Sequence, residues 1–109
     1  MAGRYVLKAA KGGQFMFNLH SGNHQVILTS ESYNDKSGAQ NGIKSCQTNS
    51  QKDDMFERKV AKDGSPYFVL KAGNGQTIGR SEMYSGNAAM ENGIQSVKTN
   101  GATTTIVEE

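Results

Sequence analysis

NGIKSCQTN at residues 41–49 returns as NGIQSVKTN at residues 92–100. The offset of fifty-one positions holds without a gap when residues 5–50 are laid on residues 56–101. Lys8, Gly13, Phe17 and Leu19 meet Lys59, Gly64, Phe68 and Leu70, and the Gly22-Asn23 turn meets Gly73-Asn74. Further along, Gln25, Ile27, Ser30, Glu31 and Tyr33 meet Gln76, Ile78, Ser81, Glu82 and Tyr84. A repeat decides the fold before any local propensity does, and two copies are too few for a solenoid. The two halves are therefore expected to share one core about a pseudo-twofold axis. At 109 residues the chain has the size of one compact domain, with internal repeats over about 4–54 and 55–109.

Each half reads as three strands and a helix. Tyr5 to Ala10 and Met55 to Ala61 are short extended segments, closed by Lys11-Gly12-Gly13 and by Lys62-Asp63-Gly64-Ser65. Glycine supplies the positive φ such turns require. In QFMFNLH, Phe15, Phe17 and Leu19 alternate with Met16, Asn18 and His20, the period of a strand with one buried face. Pro66 should open the corresponding strand of the second half, because proline donates nothing to a sheet ladder. The turns SGNH and AGNG lead into third strands, HQVILTS and GQTIGRS. The period then changes: Ala39, Ile43 and Cys46, matched by Met90, Ile94 and Val97, fall at i, i+4 and i+7 of a helix. Asn34 or Asp35, and Ser85 in the second half, are the expected N-caps. Gly42 and Gly93 lie in mid-helix, where glycine costs about 1 kcal/mol against alanine, and point to close approach of helix and sheet. The β-rich tail ATTTIVEE follows the second helix as Met55-Phe56 follows the first. The expected fold is α+β: two tandem β-β-β-α-β repeats in a single sheet, mixed or antiparallel, with two helices on one face and the strand after each helix pairing across the halves.

Composition narrows the functional classes. Twelve Lys and Arg against ten Asp and Glu leave a formal charge of only +2, which by itself selects no partner. MAGRYVLK passes directly into a strand pattern without a long apolar stretch, so a soluble cytoplasmic protein with no membrane contact is expected. The lone Cys46 makes neither an internal disulfide nor a cysteine-rich metal site, and its place on the apolar helix stripe marks it as a small core residue. His20 and His24 have Lys71 and Gly75 as counterparts, lack further well-spaced ligands and are expected at the solvent-exposed surface. The chain contains no GxGxxG, no GxxxxGK[ST] and no GxSxG. No enzyme, no cofactor and no metal is expected.

Two groups of residues remain as candidate sites. Ser30-Glu31-x-Tyr33 recurs as Ser81-Glu82-x-Tyr84 and could hold an anion or polarise a small ligand near a helix N-terminus. The favoured reading of these residues is structural, with Ser and Glu meeting amides and the tyrosine ring packed beneath the start of the helix. The second group is the sheet face turned away from the helices, where Met16, Asn18, His20, Tyr67, Val69 and Lys71 should lie. Tyr67 could stack on a base there while Lys71, Lys59 and Lys8 approach phosphates.

GNHQVILTSESYNDKSGAQNGIKSCQTN and GNGQTIGRSEMYSGNAAMENGIQSVKTN resemble the repeated core of the YegP-like family, small bacterial proteins built from one or two copies of a domain of unknown function. The resemblance covers nearly the whole chain. It implies two β-β-β-α-β units in a single sheet with exchanged terminal strands, and it implies no activity and no catalytic residues. Two departures stand out: His24 takes the place of a small turn residue, and Gly79 takes that of an apolar strand residue, which should loosen its strand. The expected function is that of a non-enzymatic binding or regulatory module, a monomer with internal pseudo-twofold symmetry and an unidentified protein partner. The alternatives are a weak nucleic-acid binder using the outer sheet face, and a small-molecule or anion receptor with two pseudo-equivalent sites.

Overall fold

Alternating apolar residues and glycine-bearing turns fold each half into a meander. The computed structural model describes residues 3–109. Strands β1 (Arg4–Ala9), β2 (Phe15–His20) and β3 (Val26–Ser30) lead into helix α1 (Lys36–Asn49). The second half repeats them as β4 (Phe56–Val60), β5 (Pro66–Lys71), β6 (Thr77–Arg80) and α2 (Asn87–Gly101), and β7 (Ile106–Glu108) follows. All seven strands form one mixed sheet in the order β4-β5-β6-β3-β2-β1-β7. The halves join at its centre, where β3 and β6 run antiparallel through Thr29 opposite Arg80 and Ser30 opposite Gly79. At one edge β7 lies parallel to β1, held by Tyr5 N–H donating to the Thr105 carbonyl and Glu109 N–H to the Leu7 carbonyl, both at 2.9 Å. The last strand of the second half thus completes the first. As expected, β5 begins at the proline: Phe15 and Tyr33 exchange two backbone bonds, whereas Pro66 only accepts one from Tyr84, at 2.9 Å.

The helices share one face of the sheet, and each packs on strands of both halves. Beneath them the core joins Tyr5, Phe17, Leu19 and Ile43 to Phe56, Phe68, Leu70 and Ile94. The aromatic geometry repeats between halves. Tyr5 meets Phe17, and Phe56 meets Phe68, edge to face at 5.7 Å, while Tyr33 on Phe17 and Tyr84 on Phe68 are stacked at 6.3 Å. Cys46 is buried on the helix stripe as its spacing predicts, and burial pushes its thiol up to about 12, opposed by a hydrogen bond with Tyr5.

One local expectation needs correction. Asp35 caps α1, accepting from Gly38 N–H at 2.7 Å, but Ser85 does not cap α2; the cap position there is Gly86, the counterpart of Asp35, and it has no side chain to accept with. In the third strands a bulge shifts the register between Leu19 and His20, and again between Leu70 and Lys71, so Ile27 and Leu28 are both buried. Gly79 is buried and closely packed in its strand. A β-carbon there would stand 2.7 Å from the Thr29 carbonyl oxygen and 3.2 Å from Leu28 Cγ, so Leu28, its counterpart, occupies the space of both at the pseudo-axis.

Candidate functional site

The Ser-Glu-x-Tyr segments are built first by the backbone they must satisfy. Ser30 Oγ accepts from Phe17 N–H at 2.8 Å and donates to the Glu31 carbonyl at 2.7 Å. Ser81 does the same with Phe68 N–H at 3.0 Å and the Glu82 carbonyl at 2.8 Å. Both serines are buried, and both hydroxyls are engaged. Tyr33 and Tyr84 lay their half-buried rings across Gly42 and Gly93, where a β-carbon would overlap the phenol hydroxyl. Burial raises both phenols, helped by Cys46 and Glu31 at Tyr33 and by Glu82 at Tyr84, so both stay protonated at neutral pH. Glu31 and Glu82 are exposed and, among the described residues, take part in no ion pair. At the start of α1 the Asp35 carboxylate already accepts from the Gly38 amide and its charge opposes an anion there.

Glu82 and Tyr84 also border a groove of about 800 Å³ between α2 and the β2–β3 hairpin of the other half. Asn92, Ser96 and Thr99, at helical spacing along α2, face Gln25 and Ile27 across it. Ser96 is tied to Asn100, whose amide donates to the Ser96 carbonyl at 2.8 Å and to its hydroxyl at 3.2 Å. The helix side of this groove was not singled out from the sequence, although its signal is there: Asn41, Ser45 and Thr48 match Asn92, Ser96 and Thr99.

The helix-free sheet face carries the second group. Register places Met16, Asn18, His20, Tyr67, Val69 and Lys71 there together with Arg4, Lys8, Glu57, Lys59 and Arg80. Asn18 and Val69 are nonetheless only 5% and 6% exposed, screened by longer neighbours, and Asn18 donates to Thr29 Oγ1 at 3.0 Å. Tyr67 is half-buried opposite Lys59. Lys71 and Lys59 both bind the Glu57 carboxylate, at 2.7 and 3.0 Å, and hold it below the ordinary carboxylate range. Of the other acids, Glu91 binds Arg58, Asp53 binds Lys98, and Glu108 binds Lys36 on the helix side. Charge is therefore segregated to a degree that the net value conceals. His24 is exposed as expected, but His20 is half-buried, its Nδ1–H donating to the His24 carbonyl at 3.2 Å, while Arg4 donates to His24 Nδ1 at 2.6 Å. Among the described residues no cluster of three or more His, Cys, Asp or Glu side chains could hold a metal, and no helix is long and apolar enough to cross a membrane.

A tandem α+β repeat, closed into one sheet by a crossed final strand, defines a small class of paired-repeat proteins. The domain of unknown function DUF1508 matches residues 10–57 and again residues 61–108, and the chain belongs to this UPF0339 family. It is 60% identical over 100 residues to a UPF0339 protein of Bordetella pertussis, covering 92% of this chain and 89% of that one. A UPF0339 protein of Shewanella oneidensis is 56% identical over 106 residues, 97% of this chain and 96% of its own. The fold is similar to two solution NMR structures. One is of a Shewanella oneidensis UPF0339 protein, with TM-score 0.93 and 55% identity over 99% of this chain and 92% of that one. The other is of yegP from E. coli, a protein of unknown function, with TM-score 0.95 and 44% identity over 100% and 94%.

Proposed function

We propose that the protein is a non-enzymatic interaction module whose helix-free sheet face takes an acidic surface of a protein partner. The observation that carries this reading is the charge segregation: Arg4, Lys8, Lys59, Lys71 and Arg80 share that face with Glu57 as the one carboxylate among the residues of β1 to β6 that lie there. Arg80, exposed at the middle of the sheet, forms no ion pair among the described residues. Complementary charge steers such a partner and fixes its orientation more than it sets affinity. A cytoplasmic monomer fits this reading, since the single cysteine is a buried, reduced core residue. The second reading, single-stranded nucleic acid, draws on Tyr67 lying opposite Lys59 and on the same strand face as Lys71. It is the weaker one, because both lysines are tied to Glu57 and Tyr67 is the only Phe, Tyr or Trp ring on the face among the described residues.

Capture from bacterial extract, with and without nuclease, separates the two. A stoichiometric protein that survives nuclease, and is lost when Lys8 and Arg80 are both changed to Glu, supports the first reading. Material that disappears with nuclease supports the second, and capture unaffected by the charge reversal removes the sheet face from both.

A further inference from the structure

We infer that the protein carries two equivalent sites for a small organic cation, one in the groove between α2 and the β2–β3 hairpin and one at the symmetry-related position between α1 and the β5–β6 hairpin. The internal repeat supplies the evidence. Of the fourteen residues that line the α2 groove, eleven are identical to their counterparts fifty-one positions away; of the other thirty-two aligned positions, eight are. Burial accounts for several of those eight, including Phe17, Leu19, Ser30 and Ile43. Part of the groove identity is structural too, as with the Asn100 bonds to Ser96 and the Asn23 and Asn74 side chains that accept from Gln25 and Gln76 N–H. Glu82, Asn92 and Thr99 are different. They are exposed, and no side-chain hydrogen bond or ion pair is made by them, or by Glu31, Asn41 and Thr48, among the described residues. Folding stability makes little demand on such positions, where substitutions usually stay within about 0.5 kcal/mol. Both copies keep the same residues all the same.

The chemistry of the lining selects the ligand. Glu82 is its only charged residue, so an anion would meet repulsion and a cation a carboxylate without a competing lysine or arginine. The Asn92 amide and the Thr99 and Tyr84 hydroxyls add neutral acceptors, while Val26 and Ile27 supply an apolar wall. A volume of about 800 Å³ suits a small molecule. An ammonium or guanidinium group on a short methylene chain satisfies all three features, with charge-assisted N–H donation to the carboxylate. In the other half α1 likewise packs against β5 and β6, and Glu31, Asn41 and Thr48 are the counterparts of Glu82, Asn92 and Thr99, which is the ground for the second site. Each groove needs both halves, so the sites belong to the assembled pair of repeats.

Putrescine and agmatine, titrated into the isotope-labelled full chain at constant ionic strength with succinate as the charge-reversed control, test this. The expected result is saturable amide shifts at residues 92, 96 and 99 and at 41, 45 and 48, with a Kd of about 1 mM or tighter for at least one cation. Glu82→Gln should weaken the first set at least about tenfold and leave the second, and Glu31→Gln should do the reverse. Both carboxylates are exposed, so the fold is retained and the spectrum reports it. Shifts confined to the sheet face, equal shifts with succinate, a response in one groove alone, no response, or groove shifts indifferent to either substitution would each overturn the inference.

Discussion

Gly93 is kept from carrying a side chain by a ring that arrives from nine residues earlier in the chain. A β-carbon there would stand 2.7 Å from Tyr84 Cζ and 3.2 Å from Phe68 Cε2, and Tyr84 is itself stacked on Phe68. Gly93→Ala should therefore destabilise the protein by about 1–3 kcal/mol, the usual cost of overpacking. The sign should reverse in the Tyr84→Ala background, where alanine at 93 gains about 1 kcal/mol of helix propensity and meets only the edge of Phe68 at 3.2 Å, which the vacated space lets shift. Thermal unfolding of the four proteins of this cycle checks both signs, and a Gly93→Ala that stabilises the parent chain would mean the ring yields freely. The sequence made these glycines legible as places of close approach. It did not reveal what approaches, because the contact depends on how the strand-to-helix connection folds back under the helix. His24 was equally visible as a departure, and the structure gives the departure its meaning: it holds φ at +70° where its counterpart Gly75 holds +84°.

At the scale of elements, α1 and α2 differ most at their starts. Asp35 accepts from Gly38 N–H, whereas Gly86, in the same extended conformation, has open space around its α-carbon and no acceptor to offer. Gly86→Asp should supply the missing cap and stabilise by about 0.5–1 kcal/mol, with part of the gain coming from lost freedom of the unfolded chain. Urea denaturation would register it as a raised midpoint at unchanged slope. The helices, hairpins and strand count were readable from periodicity and turn residues. The bulges after Leu19 and Leu70 were not, because an extra residue in a buried strand leaves an apolar run, and such a run does not fix register. Leu7 and Arg58 carried a further signal. They are counterparts, and one is buried in the core on a strand covered at its edge by β7 while the other lies on an uncovered edge, which records the asymmetry of the sheet in a single substitution.

On the whole molecule that asymmetry becomes a difference in how the two halves resist acid. The β1 edge is closed by backbone bonds to β7, whereas β4 ends the sheet and is braced by charge: Arg58 holds Glu91 at 2.5 and 2.9 Å, Glu57 holds Lys71 and Lys59, and Asp53 holds Lys98 at 2.6 Å. A charged edge also discourages pairing with a further strand. Glu91 is held below the ordinary carboxylate range by Arg58, Glu57 by Lys71 and Lys59, and Asp53 by Lys98. A folded-state value below the unfolded one means that the stabilisation is fully present above about pH 4, where unfolded carboxylates are ionised, and is lost as pH falls through the lowered values. The pairs are exposed, so each contributes little alone, and their shared location makes the effect local. Hydrogen exchange near neutral pH and again at about pH 3, corrected for intrinsic rates, should show Glu57 and Lys59 amides losing protection well before those of Val6 and Lys8. Glu91→Gln should bring part of that loss to neutral pH without touching β1. Equal loss at both edges would show that the brace on β4 is not ionic, and that the charges there serve only to keep other strands away.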